Sequence, residues 1–409
     1  MVTKKQKFRT VILILALALV IVGAVFAIAY FKGGVTFPWD VAAEIQESQE
    51  ETLEEEPEKI VVEVVEPEKV EPEEKEPEKK EPEEKGSVVE EPVVEEPVSL
   101  TGTTYPFYGK LSVKGGRLVD SKGEMARLVG VSSHGLSWFP DYVSEDSIRS
   151  LKEDFGLNTV RLAMYTSDYN GYCVGDDNNK KQLKALVDDA VDAAVDNDMY
   201  VIIDWHVLND RNPNQYKDQA IQFFGEMVRK YQNVDNVIYE ICNEPNGDTS
   251  WDDIKDYAEE IIPVIRNVNS DAIILVGTPE WSSDLDSVMD SPLRYDNIMY
   301  TYHFYAGSHG DRRRDELADA VNEGLPVFIS ECGFVNADGN GGVDKDSADK
   351  WLSMARDMEL PIVVWNLSNK NEGSALIKSD CSKTSDWTID DLSNQGKFLI
   401  EWIQASKTE

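Results

Sequence analysis

Short apolar runs alternate with amphipathic segments along most of this 409-residue chain. One run is ARLVGV, and the other seven are NTVRLAM, MYVIIDW, NVIYEIC, DAIILVG, NIMYTYH, PVFISE and PIVVWN. Between them lie segments such as KQLKALVDDAVDAAVDND, in which apolar residues recur at the spacing of an α-helix. Eight strand-then-helix units in about 300 residues predict an α/β fold, a (β/α)8 TIM barrel. A doubly wound open sheet is the alternative.

The N-terminus combines a basic flank with a long uncharged run. MVTKKQKFRT precedes VILILALALVIVGAVFAIAYF at residues 11–31. A run of this length after positive charges predicts a transmembrane signal anchor, with residues 1–10 in the cytoplasm and the rest of the chain outside the cell. A cleaved signal peptide is the alternative, because Ala27-Ile28-Ala29 forms an A-x-A sequence. We therefore expect a domain anchored at the cell surface, or secreted if cleavage occurs near Ala29.

Residues 32–103 form a predicted linker that is rich in proline and glutamate. Residues 44–100 alone contain 23 glutamates, 6 lysines and 7 prolines, in a chain whose formal net charge is −37. Such composition predicts an extended, disordered acidic spacer. It also argues against nucleic acid as a partner, because phosphates would be repelled. Residues 104–409 are then the predicted barrel, which opens with a hairpin turning at Gly115-Gly116.

Four cysteines occur in this exported chain. Cys242 and Cys332 lie in or next to predicted strands, which favours buried free thiols. Cys173 and Cys381 lie in polar, loop-like sequence, so a disulfide between them is left open.

Polar and aromatic residues gather where the predicted strands end. In a barrel these carboxyl ends converge on one face, where catalytic sites lie. Each residue alone has a structural explanation, such as a histidine bonded to a backbone group, and only their joint placement predicts a site. The set comprises His134, Arg161, Asp204, Trp205, His206, Asn243, Glu244, Trp281, His303, Tyr305, Glu331, Trp365 and Asn366.

Two glutamates of this set, Glu244 and Glu331, follow strands on opposing sides of the predicted barrel mouth. Hydrolysis of a glycosidic bond needs one carboxylic acid to protonate the leaving oxygen and a second carboxylate at the anomeric carbon. Tryptophan fits the same substrate because sugar rings present flat apolar faces to indole, although core packing is its alternative role. Trp138, Trp281 and Trp365 are placed for such stacking.

Metal-site patterns are missing from the sequence. There is no H-x-H or H-E-x-x-H motif. DGNGG at Asp338 resembles the start of a calcium loop, but Gly342 stands where a ligand is needed and the terminal glutamate is absent. The sequence therefore predicts neither a metal nor another cofactor.

Two segments, YEICNEPNG and PVFISECGF, resemble the acid/base and nucleophile strands of glycoside hydrolase family 5, in its cellulase-type branch. NTVRLAMYTS, MYVIIDWH, GTPEWSSD, YTYHFYAGSHG and VVWNLSNKNEGSAL are similar to its other strand ends, in the same order from Thr104 to Lys407. The resemblance implies a retaining endo-β-1,4-glucanase that cleaves internal bonds by double displacement. Cys332 departs from the pattern, because relatives commonly carry an aromatic residue there.

By this resemblance Glu244 matches the general acid/base and Glu331 the nucleophile. The residues that match the shell around these carboxylates are Arg161, His206, Asn243, His303 and Tyr305. The residues that match glucan-contacting positions are His134, Trp138, Trp281, Trp365, Lys370 and Glu372.

The implied partner is a β-glucan polysaccharide such as cellulose or its soluble derivatives, and the chain is expected to be a monomer held at the membrane by its N-terminal helix. The alternatives are the same chemistry on mannan, xyloglucan or mixed-linkage glucan, and a non-catalytic glycan-binding protein.

Overall fold

The computed structural model describes residues 99–102 and 104–406. The predicted cytoplasmic segment, the predicted membrane-spanning helix and residues 32–98 of the predicted linker lie outside this part of the chain. Within it, no helix combines the length and the apolar character needed to cross a membrane.

Eight parallel strands form a closed barrel, in which successive strands are neighbours and the last strand pairs with the first. The predicted barrel is thus confirmed, and the open sheet is wrong. Its strands are β3 (Val129–Ser133), β4 (Thr159–Tyr165), β5 (Tyr200–His206), β6 (Val237–Glu240), β7 (Ile274–Val276), β8 (Ile298–Tyr305), β9 (Val327–Gly333) and β10 (Ile362–Leu367). Two short strands, β1 (Ser112–Lys114) and β2 (Arg117–Val119), precede them.

Helices follow the barrel strands and cover their outer faces. They are α1 (Glu145–Glu153), α2 (Asp177–Asp196), α3 (Lys217–Lys230), α4 (Trp251–Arg266), the single turn α5 (Pro279–Ser282), α6 (Asp286–Asp290), α7 (Asp311–Asn322), α8 (Lys345–Asp357) and α9 (Asn394–Ala405). Short 3-10 turns occupy Pro140–Val143 and Pro213–Tyr216. The Asp176 carboxylate caps α2 by accepting from the Asn179 amide at 2.8 Å. Inward-facing Leu183, Val187 and Ala190 of this helix are buried.

The hairpin of β1 and β2 covers the amino-terminal end of the barrel. Its turn uses Gly115 and Gly116, whose φ angles of 58° and 78° suit glycine. Leu111 and Leu118 of the hairpin region join an apolar cluster inside the barrel. We call the barrel members of this cluster the floor: Leu128, Tyr200, Ile202, Ile238, Leu275, Met299, Phe328 and Val363.

Among the described residues, contacts with the barrel begin five residues before the predicted domain boundary at Thr104, where the Ser99 hydroxyl donates to the Asp154 carbonyl at 3.3 Å. The Leu100 amide donates to the Asp154 carbonyl at 2.8 Å. The buried Thr101 hydroxyl donates to the Phe155 carbonyl at 3.1 Å. Residues 99–102 therefore pack on the barrel, although the sequence assigns them to the linker.

All four cysteines are free thiols. Cys242 and Cys332 are buried, as their positions in apolar strands predicted. Cys381 lies 3.6 Å from an Asp391 carboxylate oxygen. The disulfide that the sequence left open between Cys173 and Cys381 is therefore not formed.

Candidate active site

The barrel interior changes from apolar to charged between the floor and the opposite end, which we call the mouth. Successive inward side chains lie two residues apart on a strand. On β5, Ile202 of the floor is followed by Asp204, and on β6, Ile238 is followed by Glu240. Both carboxylates are fully buried. The first layer above the floor is therefore ionic.

Arg161 of β4 lies at the centre of this layer and is also fully buried. Its guanidinium binds both oxygens of Glu240, with Nε to Oε2 at 2.8 Å and Nη2 to Oε1 at 3.0 Å. It also lies 3.0 Å from Asp204 Oδ2 and 3.2 Å from Glu331 Oε2. One cation thus serves three carboxylates. Burial raises the pKa of Glu240 and raises that of Asp204 to about 7, despite the opposing charge of Arg161.

Strand β9 carries an irregularity that brings Glu331 into the barrel. His303 of β8 pairs with Glu331, whereas Thr301 pairs with Phe328, so β9 contains one residue more than β8 over this stretch. The pairing with β10 shows the same extra residue between Ile329 and Cys332. A bulge of this kind lets two consecutive side chains face the same side. Ser330 and Glu331 therefore both point into the barrel.

The carboxylate of Glu331 accepts hydrogen bonds on both oxygens. The Tyr305 hydroxyl donates to Oε1 at 2.6 Å, and Arg161 donates to Oε2 at 3.2 Å. Burial, followed by the charge of Glu244, raises the pKa of Glu331. Burial also keeps the pKa of Tyr305 well above its ordinary value, so its hydroxyl retains the proton it donates. These two donors fix the orientation of Glu331 and favour its ionised form, which opposes the effect of burial.

Glu244 has a different environment from Glu331. Its Oε1 lies 2.9 Å from Nδ1 of His303. Burial raises the pKa of Glu244 to about 8, and the charges of Asp204 and Glu240 act in the same direction. The two carboxyl groups thus have different environments, because burial favours the protonated form of Glu244 whereas two donors bind the carboxylate of Glu331.

The two carboxyl groups lie close together across the mouth. An oxygen of Glu244, an oxygen of Glu331 and a ring nitrogen of His303 all lie within 4.8 Å of one another. Nearest oxygens within this limit are compatible with the carboxyl separation of about 5–5.5 Å in retaining glycosidases. The same three groups are donor types that metals bind. Both nitrogens of His303 and both oxygens of Glu331 already have hydrogen-bond partners, which fits a site for proton transfer.

Strand β6 ends at Glu240, two residues before the predicted end at Cys242. The chain nevertheless stays next to β5, because the amides of Asn243 and Glu244 donate to the carbonyls of Trp205 and Val207 at 3.1 and 3.2 Å. Glu244 is thus positioned by backbone bonds beyond the strand.

A second hydrogen-bonded chain fixes the amide of Asn243. Its Nδ2 donates to the Val207 carbonyl at 3.0 Å and lies 3.3 Å from Nε2 of His206. The other ring nitrogen of His206 lies 2.6 Å from Asp204. Burial holds the pKa of His206 well below its ordinary value, so the ring is neutral and donates to Asp204. Arg161 donates to the Asn243 carbonyl oxygen at 2.7 Å and completes this arrangement.

An open groove extends from Glu244 in two directions. One part has a volume of about 310 Å³ and is lined by five of the predicted glucan-contacting residues, His134, Trp138, Trp365, Lys370 and Glu372. The other part has a volume of about 300 Å³ and is lined by the sixth, Trp281, with Glu280, His309 and Arg313. Glu244 and Tyr305 line both parts. The structure thus brings the predicted site residues to one groove or to the buried shell beneath it, except Trp205. Its ring faces away from the barrel interior and packs on Phe223 and Phe224 of α3.

The exposure of the predicted aromatic contacts differs along the groove. Trp281 is 52% exposed, because α5 is a left-handed turn in which Glu280 and Trp281 have φ angles of 54° and 57°. Trp365 is only 7% exposed and packs on His206, with ring centroids 5.4 Å apart. At the far side, Lys370 lies 2.7 Å from Glu372 and 3.2 Å from His134.

Sequence reasoning missed four residues of this region, Glu240, Ser330, Tyr165 and Tyr169. Glu240 was detectable, because it is a charged residue inside an apolar run at the inward spacing. Tyr169 is 62% exposed, and its ring is parallel to that of Trp138 at 6.2 Å. No sequence signal marks that pairing, since it depends on the path of the loop after β4.

A (β/α)8 barrel with two opposed carboxyl groups at its mouth, in an open groove that exposes aromatic rings, defines a glycoside hydrolase. The family model described as Cellulase (glycosyl hydrolase family 5) matches residues 119–371. The chain belongs to this family.

Curated relatives cover most or all of the chain. Endoglucanase A of Butyrivibrio fibrisolvens is 56% identical over 413 aligned residues, which span 100% of this chain and 96% of the relative. An endoglucanase of Clostridium saccharobutylicum is 46% identical over 75% of this chain and 67% of its own length. Among solved structures, the catalytic domain of Thermobifida fusca endoglucanase Cel5A is 35% identical with a TM-score of 0.69, covering 73% of this chain and 98% of that domain.

Proposed function

We propose that this chain is a retaining endo-β-1,4-glucanase, a cellulase in which Glu244 is the general acid/base and Glu331 the nucleophile. The observation that carries the proposal is the asymmetry of the two carboxyl groups, which lie within reach of one another but have different hydrogen-bond partners. Glu331 is held as an anion by Tyr305 and Arg161, whereas burial keeps Glu244 protonated.

The first step follows from this asymmetry. Glu244 gives its proton to the glycosidic oxygen while an oxygen of Glu331 attacks the anomeric carbon, so the leaving sugar departs as an alcohol. The product on the enzyme is a covalent ester between Glu331 and the sugar. Because the Tyr305 hydroxyl donates to Oε1 of Glu331, it orients the carboxylate for this attack.

The second step reverses these roles. Glu244, now ionised, takes a proton from water, and the resulting hydroxide equivalent attacks the anomeric carbon and releases Glu331. Two inversions leave the configuration of the sugar unchanged. By its match to the family pattern, Asn243 holds the 2-hydroxyl of the reacting sugar, and its amide is already fixed for that task.

Endo action is supported by the shape of the groove. It continues on both sides of Glu244, so a chain can lie across the site with sugars bound in both directions. Relatives named endoglucanases cover this chain. A structural neighbour, a Thermobifida fusca Cel5A variant, was solved with cellotetraose. Both support a β-1,4-glucan substrate.

The decisive experiment compares two substitutions on two substrates. Glu331→Gln should lower reducing-end release from carboxymethylcellulose by at least about 10⁴-fold, because no ester can form. Glu244→Ala should also lose that activity but should still release dinitrophenol from an aryl cellobioside as an initial burst, since this leaving group needs no proton and only the second step lacks its base. Glu226→Gln, on the exposed face of α3, is the matched control and should be unaffected. Wild-type release by Glu331→Gln would refute the proposal.

A polysaccharide panel identifies the preferred backbone. Carboxymethylcellulose should be cleaved faster than mannan, xyloglucan or mixed-linkage glucan. A higher kcat/KM on one of the others would keep the mechanism and change the substrate, and binding without turnover on all of them would indicate a glycan-binding protein.

We also propose that residues 11–31 anchor the enzyme at the cell surface and that it acts as a monomer. The support for the anchor is the uncharged run of residues 11–31 after a basic flank. Full-length protein should remain with membranes after an alkaline carbonate wash, and release of the enzyme into the supernatant would contradict the anchor.

A further inference from the structure

We propose that Glu240, acting through Ser330 and His303, keeps the catalytic proton on Glu244. Glu240 and Ser330 would be positioning residues, because neither reaches the groove. The inference rests on the proposed role of Glu244 and adds what controls its protonation. No proton travels along this chain; its hydrogen bonds only determine which atoms carry protons.

The first link is between Glu240 and Ser330. The Ser330 hydroxyl donates to Oε1 of Glu240 at 3.0 Å. Arg161 binds both oxygens of Glu240 and keeps it in place as an acceptor. Glu240 and Ser330 are both fully buried, so water does not compete for these bonds. A hydroxyl has one proton, and here that proton is directed to the carboxylate.

The second link determines the tautomer of His303. Its Nε2 lies 3.0 Å from the Ser330 oxygen. Because the Ser330 proton is already donated to Glu240, the oxygen can only accept from this nitrogen, so Nε2 carries a hydrogen. Burial lowers the pKa of His303 to about 4, and the ring is therefore neutral at neutral pH. A neutral ring protonated on Nε2 has a bare Nδ1.

The third link places that bare nitrogen against the acid. Nδ1 of His303 lies 2.9 Å from Oε1 of Glu244 and accepts its O–H. An ionised Glu244 would instead face a lone pair, which is unfavourable. We call this set of hydrogen bonds, from Glu240 through Ser330 and His303 to Glu244, the relay. It favours the protonated form of Glu244 before the first step, and it favours uptake of a proton from water by Glu244 in the second.

Other charged groups surround these residues, and the relay acts together with them. Glu331, Arg161 and Glu240 face His303, with the His206 ring contributing at Glu331. Arg161, Asp204 and Glu240 affect Glu244. Of these groups, only Glu240 is bonded to Ser330. Removal of the Ser330 hydroxyl therefore breaks the relay and leaves every charged group in place.

Ser330→Ala tests the relay through the pH profile of kcat/KM. Without the Ser330 oxygen as acceptor, the Nε2–H tautomer of His303 loses its stabilising hydrogen bond. The hydrogen can then lie on Nδ1, which donates to ionised Glu244. The pKa of the acid then falls, so the alkaline limb of the profile should move down by about one pH unit. Ser330→Thr, which keeps the hydroxyl, should restore the wild-type limb. A Ser330→Ala limb identical to that of wild type, or a Ser330→Thr limb identical to that of Ser330→Ala, would overturn the proposal.

Ser133→Ala is the matched control. Ser133 is an equally buried barrel serine, but its hydroxyl accepts only from the Ala163 amide. Loss of this hydroxyl should leave the alkaline limb in place. An equal shift in this control would assign the effect to general loss of packing and overturn the relay.

A measurement on the full-length wild-type protein needs no variant to remain active. Nitrogen NMR of histidine-labelled enzyme, with the His303 signals identified by their loss in His303→Gln, should show a protonated Nε2 and a bare Nδ1 at neutral pH. A ring protonated on Nδ1, or on both nitrogens, would overturn the relay. If wild-type enzyme cleaves no β-glucan while the expected tautomer is present, the proposed function fails and the hydrogen-bond chain stands.

Discussion

The floor and the mouth of the barrel are built from the same strands and face the same interior, yet they differ in every chemical respect. On β5 and β6, one step of two residues leads from Ile202 to Asp204 and from Ile238 to Glu240. Floor side chains pack on one another and on the covering hairpin, and the hydroxyl of Tyr200 bonds to the backbone of Tyr108 and Gly109. Mouth side chains are polar, charged or aromatic, and three of the carboxylates gather around Arg161.

The difference shows which part of the interior stabilises the fold and which part serves catalysis. Each large apolar side chain buried in the floor contributes about 1.5–3 kcal/mol. Buried ion pairs, in contrast, lose in desolvation about as much as they gain in attraction. The charged layer is therefore not a source of stability, and its value lies in the pKa values that it imposes on Glu244 and Glu331.

The largest expected effect comes from moving a charge into the floor. Ile238→Glu places a carboxylate one inward step below Glu240, within the buried apolar cluster of the floor. We expect a loss of at least about 5 kcal/mol in unfolding free energy, or no folded protein. Denaturant unfolding followed by tryptophan fluorescence measures this, with Ile238→Leu as the apolar control. A variant as stable as wild type would show that the two layers are equivalent.

Removal of the cation from the mouth should have the next largest effect. Arg161→Met leaves three buried carboxylates without their counter-charge and should cost about 3–5 kcal/mol at pH 7. Without Arg161 the folded-state pKa values of these groups rise, so the cost should shrink toward pH 5 as they take up protons. Thermal unfolding at both pH values tests this prediction. Arg149→Met, in an exposed ion-pair cluster, should change stability by less than about 1 kcal/mol, and an equal loss there would contradict the argument.

Glu244 makes a smaller, pH-dependent contribution. Its folded-state pKa of about 8 lies above its ordinary value of 4.5, so between these values the unfolded chain binds fewer protons. Wild-type stability should therefore fall as pH rises, by about 3 kcal/mol between pH 5 and pH 8 relative to Glu244→Gln. Calorimetry of both proteins across that range measures the difference. Parallel stability curves would mean that Glu244 is not held protonated.

The smallest effects are expected at the exposed aromatic residues of the mouth. Trp281→Ala and Tyr169→Ala remove rings that are 52% and 62% exposed, so melting temperatures should stay unchanged. If the rings stack on sugars, each loss should lower kcat/KM on long glucan chains by about tenfold. An unchanged kcat/KM in either variant would mean that the replaced residue does not contact the glucan chain.

Most of the architecture was predictable from the chain. Alternation of apolar runs and amphipathic segments identifies the barrel, because a parallel sheet buries both faces of its strands and needs a helix after each one. The site at the strand ends was predictable for a related reason. Charged residues such as Glu244 and Glu331 next to apolar runs have few places to lie except the open end of the barrel.

The relative placement of Ser330 and Glu331 was not predictable. Strict alternation along β9 puts one of the two outside the barrel, and only the bulge found in its pairing with β8 and β10 turns both inward. The free state of Cys173 and Cys381 belongs to the same category, since it depends on where two distant loops lie.

The amino-acid sequence by itself determined the fold class, the face that carries the site and the two glutamates within it, because these follow from periodicity and residue chemistry. Tertiary structure alone decided how Arg161, Glu240, Ser330 and His303 meet beneath Glu244. Burial and hydrogen bonding set a carboxyl pKa, and both arise only when strands remote in sequence enclose the group. The sequence thus identifies Glu244 as the acid, whereas the protonation state of its carboxyl group depends on the folded barrel.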